Sequence, residues 1–321
     1  MIGDDPNWVD HTRDLFHFIN TFQRHMPPPI IGIGESWGAA HFVTINTWHP
    51  RLLAGILLLD PALGPGHRMK GRDYENTVSN WPSKLKYWPG AVASRRPDRW
   101  ASREEAVKHL SRSRFYSDMD AEARQKALEH DLRDVTDSTG TYVTLATPKY
   151  VEAQLWGRPQ PPLSGLPPYP LYEQPSVYAR VVPGFDRVEG PLFHEAITRV
   201  TCPVKFLFGG KSFLAQLPDY KEAFIRRTGS ADGAGGGETT GQASYDVVEK
   251  AGHNIVMHRP RAAAELSVPW IAEAASKWME DYEARRTGRK FEKGVSADWM
   301  QRIRDLQKHP DPETPGSTSK L

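Results

Sequence analysis

Pro29-Ile30-Ile31-Gly32-Ile33-Gly34-Glu35-Ser36-Trp37-Gly38-Ala39-Ala40 is the stretch that decides the fold. An apolar, β-branched run ends at Gly34-x-Ser36-x-Gly38, and a helix-forming segment follows directly. This order of strand, sharp turn and helix is typical of a nucleophile elbow, which holds a serine in a strained conformation with its hydroxyl exposed above a sheet. The residues two before and two after the serine are expected to be small, because the two backbones approach closely. The pattern therefore predicts Ser36 as a nucleophile and Gly34 and Gly38 as the small elbow residues.

The rest of the predicted sheet follows the elbow. Ala54 to Leu59 is apolar on both faces, which is typical of a central parallel strand, and its distance from the elbow indicates a right-handed strand–helix–strand unit. Two later strands are predicted at 203–208 and 245–249. The sequence thus predicts an α/β fold with a partial parallel sheet of four strands.

Composition divides the chain into four predicted segments. Residues 1–64 form the first part of a core, residues 200–308 form its second part, and residues 309–321 form a flexible tail. Residues 65–199 are rich in Arg, Trp and Pro. They carry helix signals rather than strand signals, and residues Met119 to Leu132 in particular are strongly helix-forming. Because this segment contains many aromatic residues, a packed, mostly helical cap is favoured over a disordered linker.

Overall composition excludes several classes of function. The chain has 321 residues, of which 39% are hydrophobic and 25% charged, as in soluble globular proteins. A net charge of +2 gives no basic field for nucleic acid, and no apolar run approaches the ~20 residues of a membrane span. Cys202 is the only cysteine, so no internal disulfide is expected. No Cys/His cluster has metal-ligand spacing, and we expect neither a metal nor another cofactor.

The two ends of the chain bear on the subcellular location of the protein. The first residues, Met1 to Asp5, lack the basic and apolar regions of a signal peptide. The last three residues, Ser319-Lys320-Leu321, match the peroxisomal targeting signal and follow a loose polar tail. This pattern predicts a peroxisomal protein with the import receptor as a partner.

The order of a serine, an acid and a histidine along the chain resembles the α/β-hydrolase fold. His253 lies in a glycine loop after the last predicted strand and is the expected general base, while the amide of Trp37 is the expected oxyanion donor. The acid stays open between two residues. In much of the family the acid follows the strand at residues 204–208, but no carboxylate stands directly after that strand here. The candidates are therefore Asp60, at the end of the strand beside the elbow strand, and Asp219, farther along the chain.

A narrower resemblance is carried by several motifs. Asp4-Asp5-Pro6-Asn7-Trp8, Asp10-His11-x-Arg13-Asp14-Leu15, the elbow strand, Val143 to Thr147 and the Ser-Lys-Leu ending are similar to fungal α/β-hydrolases of host-selective-toxin biosynthesis. Glu35 departs from that group, which usually has histidine before the serine, and is expected to disfavour anionic substrates or to perturb His253. The resemblance also implies a larger sheet, with an early loop that supplies a second oxyanion donor. We therefore expect a chain truncated at its N-terminus, the alternative being a partner that supplies the missing half.

These observations predict a serine hydrolase that cleaves an ester or thioester of a hydrophobic secondary metabolite or acyl compound. Two alternatives remain: an impaired hydrolase that acts as a binding protein, and an enzyme that uses the same residues for lyase or acyl-transfer chemistry. Epoxide and haloalkane hydrolysis are disfavoured, because relatives with those activities carry an aspartate nucleophile at the position of Ser36.

Overall fold

The computed structural model describes residues 7–62, 89–156, 158–159, 185–186, 189–214, 220–234, 237–287 and 297–306. In these ranges the strands are β1 (Ile30–Glu35), β2 (Leu53–Leu59), β3 (Arg99–Trp100), β4 (Leu132–Asp137), β5 (Gly140–Leu145), β6 (Arg158–Pro159), β7 (Phe185–Asp186), β8 (Val204–Gly209) and β9 (Ala243–Val248). The α-helices are α1 (Trp8–Thr21), α2 (Ala39–Trp48), α3 (Pro89–Arg95), α4 (Arg103–Leu110), α5 (Arg114–Ser117), α6 (Ala121–His130), α7 (Lys149–Trp156), α8 (Glu189–Ala196), α9 (Tyr220–Arg227), α10 (Ile255–His258), α11 (Pro260–Thr287) and α12 (Ala297–Leu306). Short 3-10 turns lie at Ser36–Gly38, Ile197–Arg199 and Gly237–Thr240.

Four parallel strands form the main sheet in the order β1-β2-β8-β9, which confirms the predicted partial parallel sheet. Every residue of β2 is buried, and this explains why its sequence is apolar at consecutive positions. In the register of the sheet, Glu35 lies beside Leu59, which in turn lies beside Leu207. The carboxyl ends of the strands therefore meet at one end of the sheet, where open α/β sheets place their ligand sites.

Helices cover both faces of this sheet. On one face α2 packs with α1 and α8, and Ile45 and Phe193 are buried against Phe206 of β8. On the opposite face Leu57 packs with Ile255 of α10 and with the first turns of α11. Each of these fully buried side chains contributes roughly 1.5–3 kcal/mol through burial of apolar surface. The two packed faces fix the strand ends and therefore the loops that follow them.

Between β2 and β8 lies a long segment, called here the insertion, whose described residues are 89–156, 158–159, 185–186 and 189–199. Over these described ranges it is mostly helical, with α3 to α8, as predicted. The predicted helix from Met119 to Leu132 is present as α6, and Asp120 caps it by accepting from the amides of Glu122 and Ala123. Trp100, Leu110, Val143 and other buried side chains give the insertion a hydrophobic cluster of its own.

The insertion also contains strands, so the prediction of helix signals alone was wrong. β3, β5 and β4 form an antiparallel sheet, and β4 and β5 are joined by a tight turn. Gly140 begins β5 with a φ of +110°, a conformation that glycine adopts at little cost. Val143 and Leu145 are buried while Tyr142 and Thr144, which alternate with them, are only partly buried, and this is the period-two pattern of a half-buried strand.

The chain divides into two compact units, Met1–Ser276 and Lys277–Leu321. In the second unit the described residues comprise the end of α11, where Trp278 and Tyr282 stack at 5.0 Å, and α12. Among the described helices, none combines the length and apolar character needed to cross a bilayer. The predicted targeting signal Ser319-Lys320-Leu321 lies outside the described residues.

Candidate active site

Ser36 occupies the sharp turn between β1 and α2. Its φ is +54°, a conformation that costs a non-glycine residue on the order of 1–3 kcal/mol and persists only where the surroundings enforce it. The carbonyl of Ser36 accepts from the amide of Ala62 at 3.1 Å, so the segment after β2 helps to hold the turn. The hydroxyl is thereby placed above the carboxyl end of the sheet.

Gly34 and Gly38 differ in what they contribute to this turn. A Cβ at position 34 would lie 2.6 Å from the carbonyl oxygen of Gly38 and 2.7 Å from the Cα of Ala39, so only glycine allows the two backbones to pass. A Cβ at position 38 would meet nothing within 4 Å, and its φ of −59° suits any residue. The expectation that position 38 must be small was therefore wrong, because a side chain there would enter open space.

This difference gives a matched pair of variants. Gly34→Ala is expected to lower the free energy of unfolding by about 1–3 kcal/mol, because it forces the strand and helix backbones apart. Gly38→Ala is expected to be neutral or to stabilise by up to about 1 kcal/mol, because alanine restricts the unfolded chain and fits here. Urea unfolding at equilibrium measures both changes, and equal losses in the two variants would contradict the steric account.

The structure brings Ser36, His253 and Asp60 together in one chain of hydrogen bonds. Nε2 of His253 lies 2.8 Å from Oγ of Ser36, and Nδ1 lies 2.6 Å from Oδ2 of Asp60. Ser36 follows β1, Asp60 follows β2 and His253 lies in the loop after β9, so the topology of the sheet makes them neighbours. Asp219, the other predicted acid, lies outside the described residues. Such a chain can take the proton from a serine hydroxyl and hold the imidazole in one tautomer.

Asp60 is fully buried, with 0% of its surface exposed, so its charge depends on hydrogen-bond donors. Oδ1 accepts from the amide of Gly209 at 3.0 Å, and Oδ2 accepts from the hydroxyl of Ser212 as well as facing His253. The backbone of Asp60 is itself held by a 2.7 Å bond from its amide to the carbonyl of Leu207. The sequence pattern did not indicate Ser212, although this residue lies in the loop after β8, where many α/β-hydrolases carry the acid.

Two more side chains hold the loop that carries His253. The amide of Gly252 donates to Nδ1 of His258 at 2.9 Å, and the amide of Val256 donates to Oε1 of Glu35 at 3.3 Å. Burial lowers the pKa of His258, which keeps its Nδ1 available as an acceptor. Burial raises the pKa of Glu35, although the Val256 amide and His253 oppose this. Glu35 therefore links the end of β1 to α10 through a hydrogen bond. This structural role is additional to the electrostatic effect on His253 that the sequence predicts.

The loop of His253 also contacts the insertion through α10. The amide of Asp120, at the start of α6, donates to the carbonyl of Met257 at 2.8 Å. The side chain of Met257 packs against the hydrophobic cluster of the insertion, which includes Trp100 and Leu110. A single turn of helix thus joins the loop of His253 to the insertion.

Trp37, the predicted oxyanion donor, follows the serine in the 3-10 turn Ser36–Gly38. The first N–H groups of such a turn have no acceptor within it and are available to a ligand. The Trp37 ring packs against Trp8 at 5.4 Å, His11 at 5.2 Å and His41 at 4.9 Å. His41 is 7% exposed, and burial, together with the nearby His11, lowers its pKa to about 4, so this cluster is uncharged at His41 near neutral pH.

Apolar surface flanks the serine and histidine. Phe213 is 64% exposed, and its ring lies 5.4 Å from the imidazole of His253. Val256, on α10, is also exposed. Across the residues that the structure describes, no group of three or more His, Cys, Asp or Glu side chains is arranged to hold a metal ion.

Comparison with known proteins gives the family. A family model described as the alpha/beta hydrolase family matches residues 2–266. The chain is similar to the type I acyl-CoA thioesterase mpaH of Penicillium brevicompactum, with 27% identity over 94% of this chain and 72% of the relative. It is also similar to the abhydrolase domain-containing protein AKT2 of Alternaria alternata, with 25% identity over 77% of this chain and 84% of the relative.

Among solved structures, the peroxisomal alpha-beta-hydrolase Lpx1 of Saccharomyces cerevisiae superimposes with a TM-score of 0.50 and 13% identity, covering 95% of this chain and 69% of that one. This likeness concerns the fold alone. The predicted resemblance to fungal α/β-hydrolases is confirmed by the Penicillium and Alternaria relatives. Because the family model spans most of the chain, the protein belongs to the alpha/beta hydrolase family.

Proposed function

We propose that this protein is a serine hydrolase that cleaves a thioester, or the corresponding ester, of a hydrophobic acyl compound in fungal secondary metabolism. The observation that carries the proposal is the hydrogen-bonded chain from Ser36 through His253 to Asp60. A serine hydroxyl is a weak nucleophile, and this arrangement supplies the adjacent base and the carboxylate that orients it.

The proposed reaction has two halves. His253 takes the proton of Ser36 as its Oγ attacks the acyl carbon, and the amide of Trp37 donates to the developing oxyanion. The carbon–sulfur or carbon–oxygen bond then breaks, the leaving thiol or alcohol receives the proton from His253, and the acyl group stays on Ser36. Water, deprotonated by His253, attacks this acyl-enzyme and releases the acid together with the free serine. The carboxylate of Asp60 stabilises the imidazolium in both halves.

The choice of substrate class rests on two observations. The relatives from Penicillium are named as acyl-CoA thioesterases, which favours a thioester for this chain. The exposed ring of Phe213 beside His253 gives the site an apolar wall suited to an acyl chain. Glu35, next to the serine, disfavours a substrate with an anionic group close to its reacting carbonyl.

The proposal includes a place and a division of the chain. Ser319-Lys320-Leu321 is proposed to direct the protein to the peroxisome through the import receptor. Residues 65–199 are proposed to act as a cap over the core segments 1–64 and 200–308, with residues 309–321 as the tail. The contact between Met257 and the insertion supports a cap that lies close to His253.

The experiment that tests the function uses the purified full chain and a series of acyl-CoA thioesters of increasing acyl length, each with a matching oxygen ester. We expect release of free CoA, with rates that rise with acyl length, and an acid that carries one oxygen atom from ¹⁸O-labelled water. A fluorophosphonate should block the reaction and label Ser36, as read by peptide mass spectrometry.

The other outcomes separate the alternatives. Binding of acyl-CoA without turnover across the whole series would contradict the hydrolase and favour a binding protein. Turnover that gives products without oxygen from water would favour acyl transfer or lyase chemistry at the same residues.

A further inference from the structure

The hydroxyl of Ser212 lies against the carboxylate that faces His253. Ser212 belongs to the loop that follows β8 and is 1% exposed. Its Oγ donates to Oδ2 of Asp60, the same oxygen that lies 2.6 Å from Nδ1 of His253. The hydroxyl therefore reaches the one carboxylate oxygen on which the orientation of the imidazole depends.

A second hydrogen bond gives this hydroxyl a direction. The amide of Leu214 donates to Oγ of Ser212 at 3.2 Å. Because a hydroxyl has one hydrogen to give and this oxygen already accepts from an amide, its hydrogen points to Asp60. The result is an ordered series of donors, from Leu214 to Ser212 and from Ser212 to Asp60.

The other oxygen of the carboxylate is held separately. Oδ1 of Asp60 accepts from the amide of Gly209, which is the last residue of β8. The end of β8 and the loop behind it thus contact both oxygens of Asp60, although Asp60 itself follows β2. With the carboxylate fixed on both sides, rotation about its last bond would break at least one of these contacts.

We propose that Ser212 is a positioning residue, which acts through Asp60 to keep Oδ2 facing His253 and to share the negative charge of that oxygen. The inference rests on the proposed function of Ser36, His253 and Asp60. Two effects follow from the geometry. Loss of the hydroxyl loosens the imidazole and slows the acyl-transfer step, and it concentrates charge on Oδ2, which stabilises the protonated imidazole.

The test compares Ser212→Ala with Ser212→Thr, which retains a hydroxyl, and with Ser267→Ala as the matched control. Ser267 is also a buried serine with a hydrogen-bonded hydroxyl, which donates to the carbonyl of Ala263 within α11. For Ser212→Ala we expect kcat to fall about 10-fold with little change in KM, since a hydrogen bond to a charged group is lost. The acid limb of the kcat/KM profile is expected to move to higher pH, because the base must lose a proton that is held more tightly.

Ser212→Thr should restore most of kcat and the original pH profile, and Ser267→Ala should leave both as in the wild type. A Ser212→Ala enzyme with wild-type kcat and an unmoved acid limb would overturn the proposal, whereas a wild type without hydrolytic activity would count against the proposed function instead. In that second case the test is the NMR titration of the His253 imidazole. Its midpoint should rise in Ser212→Ala and not in Ser267→Ala, and an unchanged midpoint would again overturn the inference.

Discussion

Replacement of Ser36 by alanine is expected to lower kcat for thioester hydrolysis by a factor of about 10,000 or more. The variant lacks the oxygen atom that attacks the acyl carbon, and it has no hydroxyl proton for His253 to accept. The substrate contacts proposed for Phe213 and for the Trp37 amide are unaffected by this change, so KM should change little. Steady-state release of CoA measures both constants, and the fluorophosphonate label should disappear from the variant.

Ser230→Ala is the control for this variant, because Ser230 is an exposed serine whose hydroxyl donates to the carbonyl of Arg227 after helix α9. It should retain wild-type activity and labelling. Unfolding measurements should show that Ser36→Ala is folded, since the turn is held by backbone contacts such as that from Ala62. A Ser36→Ala protein that hydrolyses the best substrate at the wild-type rate would contradict the nucleophile assignment.

The second large effect is expected for Asp60→Asn, with a fall in kcat of about 1,000- to 10,000-fold. Asparagine has the shape of aspartate but lacks its charge, so it no longer stabilises the imidazolium that forms during attack. Its amide can also donate to Nδ1 of His253, which would select the tautomer that cannot take the proton of Ser36. Substrate binding is expected to persist, and the loss should therefore appear in kcat.

Asp246→Asn is the matched control, because Asp246 lies on β9 and forms an ion pair with Lys205 of β8. Its activity should stay within about twofold of the wild type, since this ion pair does not include Ser36, His253 or Asp60. If Asp60→Asn kept full activity, Asp60 would not be the acid. The same substitution at Asp219 would then show whether that second predicted residue takes the role.

The core of the fold was predictable because its signals are local. Gly34-x-Ser36-x-Gly38 after an apolar run predicts the turn from β1 to α2, and consecutive apolar residues predict the buried strand β2. The partial sheet followed from two further apolar runs. The strands β4 and β5 were missed because strong helix formers precede them and because β4 is largely polar, with Leu132 as its one buried residue.

The acid could not be chosen from sequence, because the choice depends on which strands are neighbours. Asp60 lies 193 residues from His253 along the chain, and only the order of β2, β8 and β9 brings the two within hydrogen-bond distance. The contacts of Ser212 with Asp60 and of Val256 with Glu35 also join residues far apart in the chain. At Gly38 the local pattern was misleading: the elbow motif predicts that a small residue is required there, but the folded backbone leaves room for a Cβ.

The contact between α10 and the insertion constrains how this protein can diverge. Met257 lies four residues after His253, and both its carbonyl and its side chain are held by the insertion. An insertion transplanted from a relative would have to provide an amide in place of that of Asp120 and an apolar socket for Met257, or the base would lose an anchor. Substitutions elsewhere on the surface of the insertion leave these two contacts unchanged, whereas the patch beneath α10 is expected to change only together with the loop of His253.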